Sequence, residues 1–404
     1  MSPKVLHVVP AVAPRYGGPS AATLGMCRAL RIAGVEAVVA TTDADGEGRL
    51  PVVSHELQSM DDVHVVFFRR YGNEAFKYAA GFASWLDGHV REFDVVHIHA
   101  VLSHTCLAAG RACRKAGVPY IVRPLGTLDP WSLSRKPLRK RLLMQLGGQK
   151  LLSCAAAMHY TSSEEMKLAQ SAVAELPRGV VIPLGIDDEL FEQRRKPDSS
   201  PYVLSLGRLD EKKGVDILIR AFHRNVDAGR YAEWRLLIAG DGAPAYVTAL
   251  RRMAALGPAI ASIAFLGWIQ GDQKLALLRN ASIFALASHQ ENFGLSVAEA
   301  MACGVPVIVS EGVNLQGDIA AANAGWVTTR EETVLASCLR AAMDDPAERK
   351  TRGEHGRGFA RRFRWSAIGN QLVSLYNDVL GNCSRSTAGP SERETIVELD
   401  SRAV

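Results

Sequence analysis

The chain has 404 residues, of which 48% are hydrophobic, and it carries a formal net charge of +5 at pH 7. This length and apolar content are sufficient for two domains of ordinary size, each with its own core. The charge is too small to argue for nucleic-acid binding, and no apolar stretch reaches the roughly 18 residues that a membrane-spanning helix requires.

Cysteine usage bears on the cellular compartment. The seven cysteines form no Cys-x2-Cys pair and lie mostly in apolar or helical contexts, which favours reduced thiols over zinc ligands or disulfides. The first residues run directly into a predicted strand and do not have the pattern of a signal peptide. We therefore expect a cytoplasmic protein.

The first half of the chain begins with a strand, a glycine pair and a helix. Val5 to Val9 is predicted to be a buried strand, and a helix is predicted from Ala21 to Ala33. The pair Gly17 and Gly18 lies between them. A glycine turn at a helix start suits the binding of an anion, and the alternative is a turn that needs only a flexible backbone.

Two histidines mark the end of a later strand. A strand at Val63 to Phe68 and a helix at Asn73 to Arg91 are predicted before it, and Asp94 to His99 is then predicted to be extended. Side chains alternate along a strand, so His97 and His99 share one face. Ligands of open α/β sheets bind at the carboxyl ends of strands, which makes His99 the candidate for ligand contact and His97 a packed histidine.

A basic segment follows in the same half. Residues 134–143 combine five cations with an apolar stripe. A basic amphipathic helix can lie on an anionic membrane surface. We predict a peripheral contact with such a membrane through residues 135–141; a solvated helix face packed on its own domain is the alternative.

A polar stretch that contains prolines separates the two halves. We assign residues 1–187 to a first Rossmann-like domain, 188–201 to a linker and 202–364 to a second Rossmann-like domain, because strand and helix patterns alternate in both. Residues 365–380 are predicted to form a C-terminal helix. The stretch 384–404 has no apolar period and is predicted to be disordered.

The first turn of the second half carries two cations. Arg208 follows directly on the strand Tyr202 to Leu206, and Lys213 precedes a predicted helix. Two cations at the carboxyl end of a strand predict a diphosphate site. Lys212 is interpreted as a solvated neighbour.

A second glycine turn offers a competing interpretation. Gly240-Asp241-Gly242 matches a dinucleotide-binding fingerprint in part, but Pro244 would fall in the first helical turn and no acidic strand end follows about 20 residues later. A dinucleotide-dependent oxidoreductase therefore stays as an alternative that nicotinamide binding would test.

The run from His289 to Gly304 is the centre of the predicted site. Apolar strands precede and follow it, and Leu295 to Cys303 is predicted to be a helix, with Gly294 at its start. The helix N-terminus suits an anion. Glu291 and Glu299 flank that point, and carboxylates accept hydrogen bonds from sugar hydroxyls. A phosphate between hydroxyl-binding groups predicts a nucleotide sugar as ligand.

These motifs resemble the retaining GT-B glycosyltransferases of glycosyltransferase family 4. The Glu-x7-Glu spacing of Glu291 and Glu299, the continuation from Glu299 to Val307 and the Gly-Arg-Leu turn at 207–214 are all similar to that family. The resemblance implies two Rossmann-like domains facing across a cleft, with the nucleotide sugar on the second domain and the acceptor on the first, and a last helix that crosses back to the first domain. It implies transfer of a hexosyl group, with retention, from a UDP- or GDP-linked sugar to a saccharide or lipid-linked saccharide, as in cell-surface polysaccharide biosynthesis.

The resemblance also assigns residue roles. Glu291 and His99 would contact the donor sugar, Glu299 the ribose, and Arg208 and Lys213 the diphosphate. The remaining donor-binding residues implied are Gly17, Gly18, Trp268, Ile269, Phe293, Gly294 and Leu295. No Asp-x-Asp motif stands at a strand end, so no metal or other cofactor is expected, and the leaving phosphate would act as the base. A soluble disaccharide or glycogen-type synthase and a catalytically silent GT-B subunit stay as alternatives.

Overall fold

The computed structural model of the chain describes residues 2–192, 200–226 and 231–387, with side chains up to Cys383. Two compact units are present. Unit 1 comprises the residues up to Tyr160, Met166–Ile182 and the residues from Ile368 onward, and unit 2 comprises Thr161–Glu165 and Pro183–Ala367. Half of the predicted linker (193–199) and most of the predicted tail (388–404) lie outside the described residues, so both stay predictions.

The main sheet of unit 1 has eight strands in the order β12-β11-β10-β9-β1-β2-β6-β5. Only β5 and β6 pair antiparallel; the other neighbours in this sheet are parallel. Its central strands are continuous apolar runs, as expected for a parallel sheet covered on both faces. The strands of unit 1 are β1 Lys4–Val8, β2 Glu36–Thr42, β3 Ala44–Asp45, β4 Gly48–Arg49, β5 Leu57–Met60, β6 Val63–Phe68, β7 Arg70–Tyr71, β8 Tyr78–Ala79, β9 Val95–His99, β10 Tyr120–Arg123, β11 Ala157–Tyr160 and β12 Gly179–Val181.

Helices cover both faces of this sheet, and apolar side chains from β1, β9 and the helix after β9 form the core beneath them. The helices that begin in the first part of the chain are α1 Gly18–Ile32, α2 Phe82–His89, α3 His104–Ala116, α4 Pro130–Ser134, α5 Pro137–Leu143, α6 Gln149–Ser153 and α7 Ser163–Ala172. A five-residue π-helical segment, Met144–Gly148, joins α5 to α6.

The predicted helix from Asn73 to Arg91 is wrong in its first part. Strands β7 and β8 pair antiparallel there, and α2 begins only at Phe82. Within the predicted helix, Gly81 has a positive φ angle of 78°, which a helix does not accommodate. The turn residues therefore prevail over the apolar spacing that suggested one long helix.

Unit 2 contains a six-stranded, fully parallel sheet in the order β15-β14-β13-β16-β17-β18. Strand order reverses between β13 and β16, and ligands of open α/β sheets bind at such a switch point, outside the carboxyl ends of the strands. Its elements are α8 Glu189–Glu192, β13 Tyr202–Leu206, α9 Val215–Val226, β14 Arg235–Ala239, α10 Pro244–Ala255, β15 Ile263–Gly267, α11 Gly271–Asn280, β16 Ile283–Leu286, α12 Leu295–Ala302, β17 Val307–Ser310, α13 Gln316–Ala321, β18 Gly325–Thr328, α14 Glu332–Asp344 and α15 Pro346–Ala360.

The last helix, α16, runs from Trp365 to Thr387. Its first residue packs on unit 2, where the Trp365 indole donates a hydrogen bond to Asp187 over 3.2 Å. A Cβ at Gly185 would lie 2.1 Å from the Trp365 ring, so this contact requires glycine. From Ile368 onward the helix belongs to unit 1. Among the described residues, no helix is long and apolar enough to cross a membrane.

Candidate active site

Two turns of unit 2 lie side by side at the switch point. The turn after β13 packs against the end of β16 so closely that a Cβ at Gly214 would lie 2.1 Å from the Ala287 carbonyl oxygen. The His289 amide donates to the Lys212 carbonyl oxygen over 2.7 Å, and the Glu291 amide donates to Gly312 over 2.8 Å. Backbone contacts therefore hold both turns in place before any ligand binds.

Lys213 and Glu291 form an ion pair across these two turns. Their side chains are 19% and 17% exposed, so the pair is neither fully solvated nor sealed from water. The structure thus brings together two of the residues predicted for catalysis. An anion that approaches this edge can replace the Glu291 carboxylate as the partner of the ammonium group.

Arg208 lies on the same turn and is exposed. Among the described residues, no carboxylate forms an ion pair with it. An exposed guanidinium beside the Lys213 ammonium gives this edge of the sheet excess positive charge. That arrangement suits a ligand with two phosphate groups.

Glu299 lies on α12 and is 8% exposed. Burial raises the pKa of this carboxyl group, and the Lys274 ammonium, 2.6 Å from its Oε1 atom, acts in the opposite direction. Lys274 belongs to α11, and sequence reasoning did not select it. A carboxylate held by one cation retains lone pairs that can accept from a ligand hydroxyl.

The entry to α12 has the geometry expected of an anion site. Gly294 caps the helix with φ 80° and ψ 59°, a left-handed conformation that favours glycine. Leu295 begins the helix, and its amide and that of Ser296 precede the first hydrogen bond of the helix, which the Val297 amide donates to the Gly294 carbonyl oxygen over 2.9 Å. The Phe293 side chain is 2% exposed and packs edge to face on Phe363 with ring centroids 5.3 Å apart, so only its backbone is available to a ligand.

Trp268 and Ile269 follow β15 at the same edge of the sheet. Trp268 is 53% exposed and is therefore not a core residue, and Ile269 is partly buried. An exposed aromatic ring and an apolar neighbour are suitable for contact with a flat heterocycle. Their role in base binding stays a prediction.

The second glycine turn has a packing explanation. A Cβ at Gly240 would lie 1.9 Å from the Gly207 carbonyl oxygen, and one at Gly242 would lie 1.9 Å from that of Leu209. These glycines allow two neighbouring turns to pack backbone to backbone. The dinucleotide interpretation therefore loses the feature that suggested it, because the glycines serve packing within the protein.

In unit 1, the Gly17-Gly18 turn precedes α1. Gly17 has φ 70° and ψ −135°, and a Cβ placed on it would meet no atom within 4 Å. The Gly17 amide donates to the Pro14 carbonyl oxygen over 2.9 Å. Of the two predicted amides, the one at Gly18 is thus the candidate for an anion, since it begins the helix and has no intrahelical acceptor.

His99 and His97 both belong to a buried group of polar side chains in unit 1, and each is 0% exposed. The two ring nitrogens of His99 are hydrogen-bonding distances from His7, at 2.9 Å, and from Arg123, at 3.4 Å. His97 contacts Tyr376 at 2.9 Å and His159 at 3.1 Å. The packed role predicted for His97 agrees with this position, whereas the sugar contact predicted for His99 stays a prediction without a supporting contact.

The nitrogens of His7, His97 and His99 lie within 4.8 Å of one another, close enough to consider a metal ion. Their rings are stacked rather than convergent: His97 and His99 are 4.5 Å apart with planes 23° from parallel, and His7 and His99 are 5.2 Å apart with planes 13° from parallel. Lone pairs in the planes of stacked rings do not point to one common centre. We therefore interpret the group as a hydrogen-bond network.

Family models match both halves of the chain, and known proteins are similar to it. The family model described as "Glycosyl transferases group 1" matches residues 186–359, and the one described as "Glycosyl transferase 4-like domain" matches residues 17–185. The chain is 30% identical over 322 residues to a phosphatidyl-myo-inositol mannosyltransferase of Propionibacterium freudenreichii subsp. shermanii, covering 77% of this chain and 76% of that protein. It is 28% identical over 307 residues to a D-inositol 3-phosphate glycosyltransferase of Stackebrandtia nassauensis, covering 71% and 69%.

A comparison with solved structures addresses the fold. HepE of Anabaena in complex with UDP and glucose superposes with a TM-score of 0.74 at 20% sequence identity, covering 93% of this chain and 100% of that one. Identity at this level is informative about the fold alone. The predicted fold class, GT-B with two Rossmann-like domains, is confirmed.

Proposed function

Since the chain belongs to the group 1 glycosyltransferases, we propose that it is a retaining hexosyltransferase that uses a UDP- or GDP-linked sugar. Its acceptor would be a saccharide or a lipid-linked saccharide in cell-surface polysaccharide biosynthesis. The observation that carries the proposal is the Lys213–Glu291 pair beside Arg208 at the switch point of unit 2. One relative named above is a phosphatidyl-myo-inositol mannosyltransferase, which favours a lipid-linked acceptor.

The proposed reaction requires charge stabilisation more than proton transfer by a side chain. The bond between the anomeric carbon and the phosphate oxygen breaks, its electron pair stays on the diphosphate, and the acceptor oxygen bonds to the anomeric carbon on the same face. The acceptor proton passes to the leaving phosphate oxygen. Arg208 and Lys213 would stabilise the charge that develops on the diphosphate.

The carboxylates would orient the donor. Glu291, released from Lys213 by the phosphate, would accept from hydroxyls of the transferred sugar, and Glu299 would accept from the ribose hydroxyls. Gly294 and Leu295 would present the N-terminus of α12 to a phosphate oxygen. Trp268 and Ile269 would contact the base. Gly17 and Gly18 would contribute a further amide to the donor phosphates, and His99 would contact the sugar.

Nucleotide binding tests this assignment directly. Calorimetric titration of UDP, GDP, ADP and NAD⁺ should give tight binding of one nucleoside diphosphate to the wild-type protein. Arg208→Ala and Glu299→Ala should each weaken it, while Lys212→Ala, on the same turn as Arg208, should not. Binding of no nucleotide by the folded protein would refute the donor site, and binding of NAD⁺ alone would favour the oxidoreductase. Retention would be read from the anomeric configuration of the product by NMR.

The proposed membrane contact involves exposed leucines of α5 and of the π-helical segment that follows it. Leu138, Leu142 and Leu146 are 82%, 54% and 69% exposed, and their spacing of four residues directs all three to one side of the helical segment. Lys136 and Arg141 are exposed close by. Apolar side chains with cations beside them fit an anionic lipid surface, which would bring the enzyme to a lipid-linked acceptor from the cytoplasmic side.

Vesicle sedimentation tests the membrane contact. The wild-type protein should sediment with vesicles that contain phosphatidylglycerol and stay in solution with pure phosphatidylcholine. The double variant Leu138→Ser, Leu142→Ser should lose most of the sedimentation. Leu57→Ser, which replaces a leucine 59% exposed on β5, is the matched control and should bind as the wild type does. Equal binding by the double variant and the wild type would contradict this contact.

A further inference from the structure

The chain crosses between the two units at four places, and one buried network contacts three of them. These three are the end of unit 1 at Tyr160, its end at Ile182 and the return to it at Ile368, within α16; the fourth crossing is the return at Met166. The Ile182 amide donates to the Tyr160 carbonyl oxygen over 2.9 Å, which holds the first two segments together. His159 stands one residue before the first boundary, and Tyr376 stands two helical turns after the third.

The network consists of six side chains on five elements. They are His7 on β1, His97 and His99 on β9, Arg123 on β10, His159 on β11 and Tyr376 on α16, and all are 0% exposed. The successive contacts are Arg123 Nη1 to His99 Nδ1 at 3.4 Å, His99 Nε2 to His7 Nδ1 at 2.9 Å, His7 Nε2 to Tyr376 Oη at 3.5 Å, Tyr376 Oη to His97 Nδ1 at 2.9 Å, His97 Nε2 to His159 Nδ1 at 3.1 Å and His159 Nε2 to the Ile182 carbonyl oxygen at 2.8 Å.

The two ends determine the direction of every bond. The Ile182 carbonyl oxygen can only accept, so His159 must carry its proton on Nε2. A neutral His159 then accepts at Nδ1 from His97, whose own Nδ1 accepts from the Tyr376 hydroxyl. The Tyr376 oxygen accepts from His7, and His7 accepts from His99. From the other end, the Arg123 guanidinium can only donate, which requires His99 to accept at Nδ1, in agreement with the same direction.

All four histidines are therefore neutral and carry the proton on Nε2. Complete burial favours the neutral form and lowers the pKa of His7 and of His159 to about 3. The charged or ionisable groups that face the network are Arg123 within it and the Cys27 thiol on α1, which lies near Tyr376. A second positive charge beside Arg123 would be unfavourable in this interior.

The network does not serve to move a proton. Its accepting end is the backbone carbonyl of Ile182, which cannot take up and release a proton in the working pH range. A chain with this end can only hold its members in place. The network holds the ends of β11 and β12 and the helix α16 in place.

We propose that Tyr376 and the histidines His7, His97 and His159 are positioning residues of the enzyme. They hold, from inside unit 1, three of the four segments through which this unit is connected to the residues of the donor site. Loss of the network would loosen those segments while leaving the donor-binding side chains of unit 2 intact. The kinetic part of this inference rests on the glycosyltransferase function proposed above, and the tautomer assignment does not.

Nitrogen NMR of the wild-type protein tests the hydrogen-bond chain without reference to activity. In protein labelled with ¹⁵N at histidine, four of the eleven histidines should be neutral Nε2–H tautomers at pH 7 that do not titrate down to pH 5. Assignment by His→Gln substitution at His7, His97, His99 and His159 identifies the signals. An Nδ1–H tautomer or a charged ring at any of the four would overturn the chain.

The variant Tyr376→Phe tests the positioning role. It keeps the ring and removes the hydroxyl that joins the two halves of the network. The value of kcat should fall by roughly tenfold, as expected when connecting segments shift by a fraction of an ångström, and the Kd of the nucleoside diphosphate should stay as in the wild type. Tyr71→Phe, at an exposed tyrosine of unit 1, is the control and should change neither value.

The outcomes separate the two proposals. A wild-type kcat in Tyr376→Phe, with the His97 tautomer no longer defined, would overturn the positioning role. Failure of the wild-type protein to bind any nucleotide or transfer any sugar would instead refute the proposed function and leave the tautomer result intact. Should Tyr376→Phe not fold, His7→Gln, which removes the bond from His99 but leaves Tyr376 donating to His97, takes its place with the same expected change in kcat at unchanged Kd.

Discussion

The switch point of unit 2 and the histidine network of unit 1 are both rich in polar side chains, yet they are built in opposite ways. At the switch point, Lys213 pairs with Glu291 and Lys274 with Glu299, and the four side chains are 11% to 31% exposed. In the network, the side chains are 0% exposed and the histidines are neutral. Partly hydrated ion pairs can exchange partners, because water and ligands reach them. Hydrogen bonds between fully buried side chains cannot exchange partners in this way, because each broken bond leaves a buried group without a partner.

This difference separates residues that bind a ligand from residues that support the fold. Lys213 and Lys274 of unit 2 each pair with a glutamate, and a diphosphate can take the place of the carboxylate at Lys213. In the network of unit 1, each histidine N–H group and the Tyr376 hydroxyl has an acceptor. Buried polar residues near the carboxyl end of a strand therefore need not be ligand contacts, and His97 illustrates the point.

Mild acid should act on unit 1 before unit 2. The pKa of His7 and of His159 lies at about 3 in the folded protein, below the ordinary 6.5 of an unfolded chain, so the unfolded state takes up protons first as the pH falls. The contribution of these two residues to the free energy of unfolding is complete above pH 6.5 and is lost between that value and about 3. At pH 5 the loss from the two histidines together is about 4 kcal/mol.

Denaturant unfolding between pH 7.5 and pH 5 measures this loss, and hydrogen exchange with mass spectrometry assigns it to a unit. Peptides from β1, β9 and β11 should lose protection before those of β13 and β16. His355→Gln, at an exposed histidine, should leave the pH dependence unchanged. Equal stability at pH 7.5 and pH 5 would contradict the neutral network.

Removal of one cation at the switch point should chiefly affect catalysis. Lys213→Ala is expected to lower kcat by about a hundredfold to a thousandfold, the usual result of deleting one group that stabilises developing charge. Its thermal stability should change little, because Glu291 is partly hydrated and can bind water in place of the ammonium group. Lys212→Ala is the matched control and should have near-normal turnover. An equal loss of kcat in Lys213→Ala and Lys212→Ala would mean that the turn needs only positive charge and not a lysine at position 213.

The second ion pair should affect nucleotide affinity. Glu299→Gln and Lys274→Met are each expected to raise the Kd of the nucleoside diphosphate by about tenfold, since a hydrogen bond to a charged group is worth roughly 1.5 kcal/mol. The double variant should lose less nucleotide-binding free energy than the sum of the losses in the two single variants, as is usual for groups in direct contact. Calorimetry on the four proteins gives the coupling. Strict additivity would mean that the two residues bind the ligand independently.

Gly17 should show the smallest effect. Its φ of 70° makes Gly17→Ala strained, at a cost of about 1 kcal/mol, although the added Cβ meets no atom. Gly34→Ala, with φ 80° and equally open space, is the control for strain alone. Comparison of turnover at equal stability isolates ligand contact by the turn that presents the Gly18 amide. A loss in Gly17→Ala beyond that in Gly34→Ala would support the predicted phosphate contact of this turn, and equal turnover would contradict it.

Much of the fold and of the donor site could be predicted because the signals are local. Apolar runs such as Ile283–Leu286 indicate buried parallel strands, and Gly294 before a run of good helix formers indicates a helix start. Arg208 and Lys213 stand in one turn, so their proximity is a consequence of chain geometry. The helix predicted across Gly81 failed because a single positive φ angle outweighs apolar spacing.

By itself, then, the sequence determined the strand and helix content, the family resemblance and the turns that carry charge, since each depends on residues a few positions apart. Only the tertiary structure decided that Lys274 faces Glu299 and that Tyr376 meets His97, 279 positions away in the chain. No periodicity or spacing specifies such pairs, because they form where separate elements pack together. Whether a strand-end histidine binds a ligand or supports the fold is decided in the same way, by the partners that packing brings to its two nitrogens.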